Sequence, residues 1–159
     1  MHIKTSEGDK LDLGIGTYTC NWGTHFCGLY TTAEERDAII LGYLHCGGLA
    51  ADRQIFIHSE QTREDFLWAV DAHCEHCATL QASAQEIDVK QARDLYFPEG
   101  KFDPWYMDQA VNGYYSYAQQ QGASNLRAAA EMAWALDKIP GVEHLFAYES
   151  RLNEFVKNR

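Results

Sequence analysis

Asp71-Ala72-His73-Cys74-Glu75-His76-Cys77 sets two cysteines and two histidines within five residues, a density of sulfur and nitrogen donors that zinc sites share. Four ligands must converge on one point, however, and one helix face offers only two of them at i and i+3. The others would have to come from Cys20, His25, Cys27 or Cys46. Helical phasing supplies a simpler role: Phe66, Val70, Cys74 and Cys77 fall within about 80° of arc, with Leu67 at its edge. Free cysteine behaves as a small hydrophobe, so both thiols are expected to fill core, with His73 flanking the stripe and His76 towards solvent. A metal or redox sensor built on Cys74, Cys77 and His73 stands as the alternative.

Two carboxylates occupy positions where a purely structural pattern would place apolar residues. Leu145, Leu152 and Val156 define an apolar seam on a final helix, and Glu149 lies about 40° from its centre. Glu131 closes the alanine-rich run Leu126 to Met132, which reads as a central strand; open α/β sheets hold their ligands at the carboxyl ends of such strands. A buried carboxylate must be paired, hydrogen-bonded or protonated. An internal partner is available in Arg127, on the same strand face as Glu131, with Tyr148 or His25 to complete the set. A ligand pocket is the other reading, because unusual buried charges cluster at sites. His25, Tyr30 and Trp134 would then supply a polar contact and two aromatic walls. No GxSxG or HExxH motif accompanies them, so an enzyme with Glu131 or Glu149 as general base beside His25 ranks last among the readings and no catalytic set is expected. The aromatic group Trp105, Tyr106, Tyr114, Tyr115 and Tyr117 is expected to pack the third helix on the sheet.

Composition narrows the classes. The chain has 159 residues, 46% of them hydrophobic, enough to bury a core. Lys+Arg 13 against Asp+Glu 23 gives a net charge of −10, which opposes nucleic acid and anionic membrane surfaces. With neither an apolar signal core nor a membrane-length run, the location expected is cytoplasmic. Five cysteines, an odd number, point to reduced thiols and not to a disulfide framework.

The elements that must position these residues alternate between strand and helix length. Residues 1–21 read as an N-terminal leader and 22–159 as one domain. Thr24 to Tyr30 suits a short buried strand, followed by a Thr32/Glu35 capping box and a helix ending near Gly47-Gly48. Arg53 to His58 is a strand of strong β formers, and Thr62 caps a second helix. Glu86 to Val89 reads as a short strand. Asp103-Pro104 opens a helix, with Met107, Val111, Tyr114, Tyr115 and Ala118 on one face, that stops at Gly122. A last helix runs from about Val142 to Val156. This alternation predicts an α/β fold with a mostly parallel sheet.

Four blocks resemble a known family. Trp22-Gly23-Thr24-His25-Phe26-Cys27-Gly28-Leu29-Tyr30 with Glu34-Glu35-Arg36, then GGLAADRQIFIHSE, then Tyr96 to Asp103, and finally Leu126-Arg127 with Ala130 to Leu136 and Tyr148 to Glu154 are similar to the MEDS family. That family is the sensory domain named for methanogens, methylotrophs and the regulator DcmR. The resemblance implies a three-layer α/β sandwich with a RecA/KaiC-like core. No GxxxxGK[ST] is present, so a nucleotide cradle is not expected. The resemblance also implies a small-molecule sensory domain of a signal-transduction or transcription regulator, with no cofactor, acting on a DNA-binding or kinase output module in cis or trans. Ala130 stands where the family often has glycine. Family members continue into a Cys-x-Tyr-Asp strand beyond this chain's end, so a domain cut short or naturally lacking that strand is expected, with an edge open to a homodimer partner. The ligand set expected is His25, Tyr30, Glu131, Trp134 and Glu149, for a small organic ligand.

Overall fold

The structure, a computed structural model, describes residues 10–50, 52–59, 61–73, 86–123 and 125–158. Lys10–Asp12 (β1) and Thr19–Asn21 (β2) pair antiparallel, Leu11 opposite Cys20. Helix α1 spans Ala33–Leu49, and Thr32 Oγ1 caps it by accepting from the Glu35 amide at 3.2 Å. The return bond closes one residue earlier than the capping-box expectation: the Glu35 carboxylate accepts from the Thr31 amide and hydroxyl at 2.7 and 2.8 Å.

Strand β3, Arg53–His58, falls where its β-forming residues predict. Helix α2, Arg63–His73, follows, and Thr62 and Asp65 exchange the reciprocal capping bonds. Strand β4 is Asp88–Gln91, helix α3 Ala92–Tyr96 and helix α4 Pro104–Gln120. Asp103 Oδ1 caps α4 on the Trp105 amide at 2.9 Å, as the Asp-Pro pair predicts. Strand β5, Leu126–Ala130, is followed by two 3₁₀ turns, Ala133–Leu136 and Val142–His144, and helix α5, Leu145–Lys157.

Strands β3, β4 and β5 form a parallel sheet in the order β4-β3-β5, flanked by helices. Alternation along β3 divides the core. Phe56 joins Leu41, Leu44, Phe66 and Val70 from α1 and α2. Ile55 and Ile57 join Tyr96, Met107, Trp134 and Tyr148 on the other side. Leu11 of the hairpin is buried in the first cluster, so residues 10–21 of the stretch read as a leader are packed against the domain. Among the described residues no helix is long and apolar enough to cross a membrane.

Several expectations are corrected. Residues 24–30 form no strand and are exposed; side chains, not a hydrogen-bond ladder, hold them in place, as when Phe26 packs edge-on against Tyr43 at 5.4 Å. Among the described strands β3 is the central one and the alanine-rich β5 lies at the edge. Helix α1 does end next to Gly47-Gly48, at Leu49, with Gly47 inside its last turn. A Cβ at Gly47 would sit 2.8 Å from Arg127 Cδ, so this glycine makes room for a side chain and not for a turn. Strand β4 begins two residues later than expected, β5 ends at Ala130, and the last helix takes a 3₁₀ entry before Leu145. Trp105, Tyr106 and Tyr117 are exposed, whereas Tyr114 packs with the second cluster and its hydroxyl donates to Asp88 at 2.9 Å. In α2, Phe66 and Val70 are buried as the stripe predicts; Cys74, Cys77 and the His73 side chain lie outside the described residues.

Candidate functional site

The carboxyl ends of β3 and β5 meet at Glu131. Its amide donates to the Ile57 carbonyl at 2.7 Å, which extends the strand pairing by one bond and fixes the side chain beside residues 57–59. The side chain is 5% exposed, so its charge needs partners. Oε2 accepts from the Ser59 amide at 3.1 Å, Oε1 accepts from the Tyr30 hydroxyl at 3.2 Å, and the Arg36 guanidinium approaches Oε1 at 3.5 Å. Arg36 is shared: it meets Asp37 Oδ1 at 2.8 Å through Nη2. The Ser59 hydroxyl completes the frame by donating to the Glu131 carbonyl at 3.1 Å.

Arg127 does not partner Glu131. Four residues along an extended strand place it at the opposite end of β5, where Nη2 meets Asp52 Oδ2 at 3.1 Å and Nη1 donates to the Asp12 and Tyr43 carbonyls, each at 2.9 Å. Both charged side chains are 1% exposed. This clamp ties the hairpin, α1 and the sheet together and is structural.

His58, which the sequence reading passed over as the end of a strand, is the site's second buried polar group. It is 2% exposed, and its Nδ1 has no hydrogen-bond partner among the described residues. Its signal was present: it is in phase with the buried Gln54 and Phe56 and occupies the last position of the central strand, the end at which open α/β sheets in general hold ligands. Burial pushes the imidazole pKa below its usual 6.5, outweighing Glu131, Asp65 and Asp94, which act in the opposite direction. The native state thus prefers neutral His58. Its contribution to stability is present above pH 6.5 and is lost as pH falls through the lowered folded value. The thermal midpoint should therefore drop between pH 7.5 and 5.5, and should drop less in His58→Asn, as calorimetry in the two buffers will show.

The other expected residues form a second group. His25 spans two residues of α5: Nδ1 faces Asn153 Oδ1 at 3.0 Å and Nε2 faces Glu149 Oε2 at 3.3 Å. Glu149 is half-buried, and desolvation raises its pKa against the opposing pull of His25. Gly23 seats the same segment on α5, since a Cβ there would come within 2.7 Å of the Val156 carbonyl. Trp134 packs on the opposite side of the sheet from Phe56, among Tyr96, Phe97 and Phe102 with ring centroids 5.0–5.6 Å away, and its buried Nε1 lacks a partner among the described residues. The structure therefore pairs Tyr30 with Glu131 and His25 with Glu149, and sets Trp134 in an aromatic cluster of its own. Among the described residues no three His, Cys, Asp or Glu side chains gather as a metal site would require.

One segment, residues 24–30, joins the site at the strand ends to the last helix. Residues 24–159 match MEDS, the MEthanogen/methylotroph, DcmR Sensory domain. The chain belongs to the MEDS family. No curated protein and no solved structure matches it. The MEDS match begins at the segment that carries His25 and Tyr30 and takes in every residue of the Glu131 site.

Proposed function

We propose that this MEDS domain is the small-molecule sensor of a cytoplasmic signal-transduction or transcription regulator. The ligand settles at the carboxyl ends of the parallel strands beside Glu131, and the last helix passes the signal to an output module, in cis or in trans. The finer fold we infer is the three-layer sandwich of a RecA/KaiC-like core without a nucleotide loop, in keeping with core clusters formed on either side of β3. Strand β5, an outer strand among those described, would serve as the edge that pairs in a homodimer.

The single observation that carries the reading is the pair of contacts made by residues 24–30: Tyr30 at the Glu131 carboxylate and His25 on Glu149 and Asn153 of α5. A ligand that claims the Glu131 oxygens competes with the Tyr30 hydroxyl. Releasing Tyr30 loosens the segment whose other end holds α5. Differential binding to the two arrangements is all that a population shift requires.

The test is a thermal-shift screen against metabolite extracts of the source organism. At a concentration about 100 times its Kd, a ligand adds about 2.7 kcal/mol to stability, and this gain should vanish in Glu131→Gln. Hydrogen exchange across residues 145–157 should change on binding in the wild-type chain and not in His25→Ala. A screen in which no extract moves the midpoint would remove the proposal.

A further inference from the structure

The charges around the unpartnered His58 nitrogen select a class of ligand. Asp65, in the first turn of α2, has its carboxylate fixed by the Thr62 amide and hydroxyl at 2.8 and 2.9 Å. Asp94, in α3 just beyond the end of β4, acts on the same imidazole, as does Glu131. Asp65 and Asp94 are exposed and screened by water, whereas the more buried carboxylates of Glu131 and Asp37 divide the Arg36 guanidinium between them. The site therefore keeps a surplus of negative charge, within a chain of net charge −10. An anion entering it would add to that surplus in a partly dehydrated place. A neutral alcohol could satisfy a nitrogen lone pair but would leave the charge as it was.

We propose that the Glu131 site takes a small organic ammonium ion, a protonated primary or secondary amine, whose N–H groups are shared between the Glu131 carboxylate and Nδ1 of His58. This rests on the reading of the site as the sensor's ligand pocket. In the tautomer that carries its proton on Nε2, the neutral imidazole presents Nδ1 as an acceptor, and an N–H donor at Nδ1 selects that tautomer. An ammonium with two or more N–H donors answers that acceptor and the carboxylate together, and no rearrangement of the Ser59 amide is needed. It also adds to the cation that Glu131 only shares, since Arg36 stands at 3.5 Å from Glu131 but at 2.8 Å from Asp37. The Tyr30 hydroxyl, bonded to the same Oε1, is the group such a ligand displaces.

Three probes of nearly equal size separate the classes: propylammonium, propionate and 1-propanol, each titrated into the full chain at pH 7.5 while ¹⁵N NMR follows the His58 imidazole. Propylammonium alone should move the His58 signals saturably, with no response in Glu131→Gln and weaker binding at higher salt. A saturable response to propionate or propanol, with none to propylammonium, would overturn the assignment. Mass spectrometry of whatever the metabolite extracts contribute gives the second arm. An amine released from the protein supports the inference. A released anion or neutral compound whose effect still depends on Glu131 removes the amine class and leaves the sensor reading standing. Silence from both the probes and the extracts removes both.

Discussion

Arg127→Met is expected to cost the domain about 3–5 kcal/mol, the range for removing one partner of a buried ion pair. The Asp52 carboxylate would be stranded at 1% exposure, with the Asn125 amide at 3.2 Å its remaining side-chain partner among the described residues. The Asp12 and Tyr43 carbonyls would also lose the donor that each shares through Nη1, and the guanidinium would leave the Tyr43 ring face, now 4.7 Å from its centre. Replacing the pair together, as in Asp52→Asn with Arg127→Met, should recover most of the loss, because the cost lies in stranding a charge and not in the absence of a salt bridge. A deficit of about 1–2 kcal/mol should remain for the two unanswered carbonyls. Urea unfolding of the single and double variants at one pH decides the matter: equal losses in both would mean that Arg127 acts through its volume and not its charge.

Gly42→Ala comes second, and its sign is opposite to that of an ordinary helix substitution. Exchanging glycine for alanine inside a helix normally gains roughly 0.5–1 kcal/mol. In α1, however, a Cβ at Gly42 would lie 2.4 Å from the Gly14 carbonyl oxygen, and Gly14 itself adopts φ +68° facing back onto Gly42. The β1–β2 turn thus rests directly on the helix backbone, so the added methyl must lift the hairpin that carries Leu11 into the core. A loss of about 1–3 kcal/mol is expected. Gly113, in α4, has nothing within 4 Å of its virtual Cβ, and Gly113→Ala should show the ordinary gain. Thermal midpoints of the two alanine variants moving in opposite directions would confirm that contact, and not helix propensity, governs position 42; parallel gains would show the hairpin to be loosely seated.

Much of the site was legible, but not its wiring. Glu131 as an inward carboxylate at a strand end follows from the strand's alternation and the rule for open sheets, and it is 5% exposed. Glu149 follows from helical phase and is half-buried. Tyr30 was expected as an aromatic wall, whereas its hydroxyl is the part that meets Glu131. The choice of Arg127 as the internal partner went wrong for a geometric reason: residues four apart share a face of a strand yet stand some 13 Å apart along it. His58 escaped notice because a histidine closing a strand of strong β formers reads as part of the strand.

The sequence alone determined what depends on near neighbours: the Thr32, Thr62 and Asp103 caps, the run Arg53–His58, the inward phase of Glu131, and the four ordered blocks that mark a MEDS domain. Those features arise from hydrogen bonds and periodicities spanning a few residues. Tertiary structure decided the rest. Asp52 meets Arg127 across 75 positions, Tyr30 meets Glu131 across 101, and His25 meets Asn153 across 128. Such meetings are set by strand order and by the side to which each connection crosses, and no local preference encodes either.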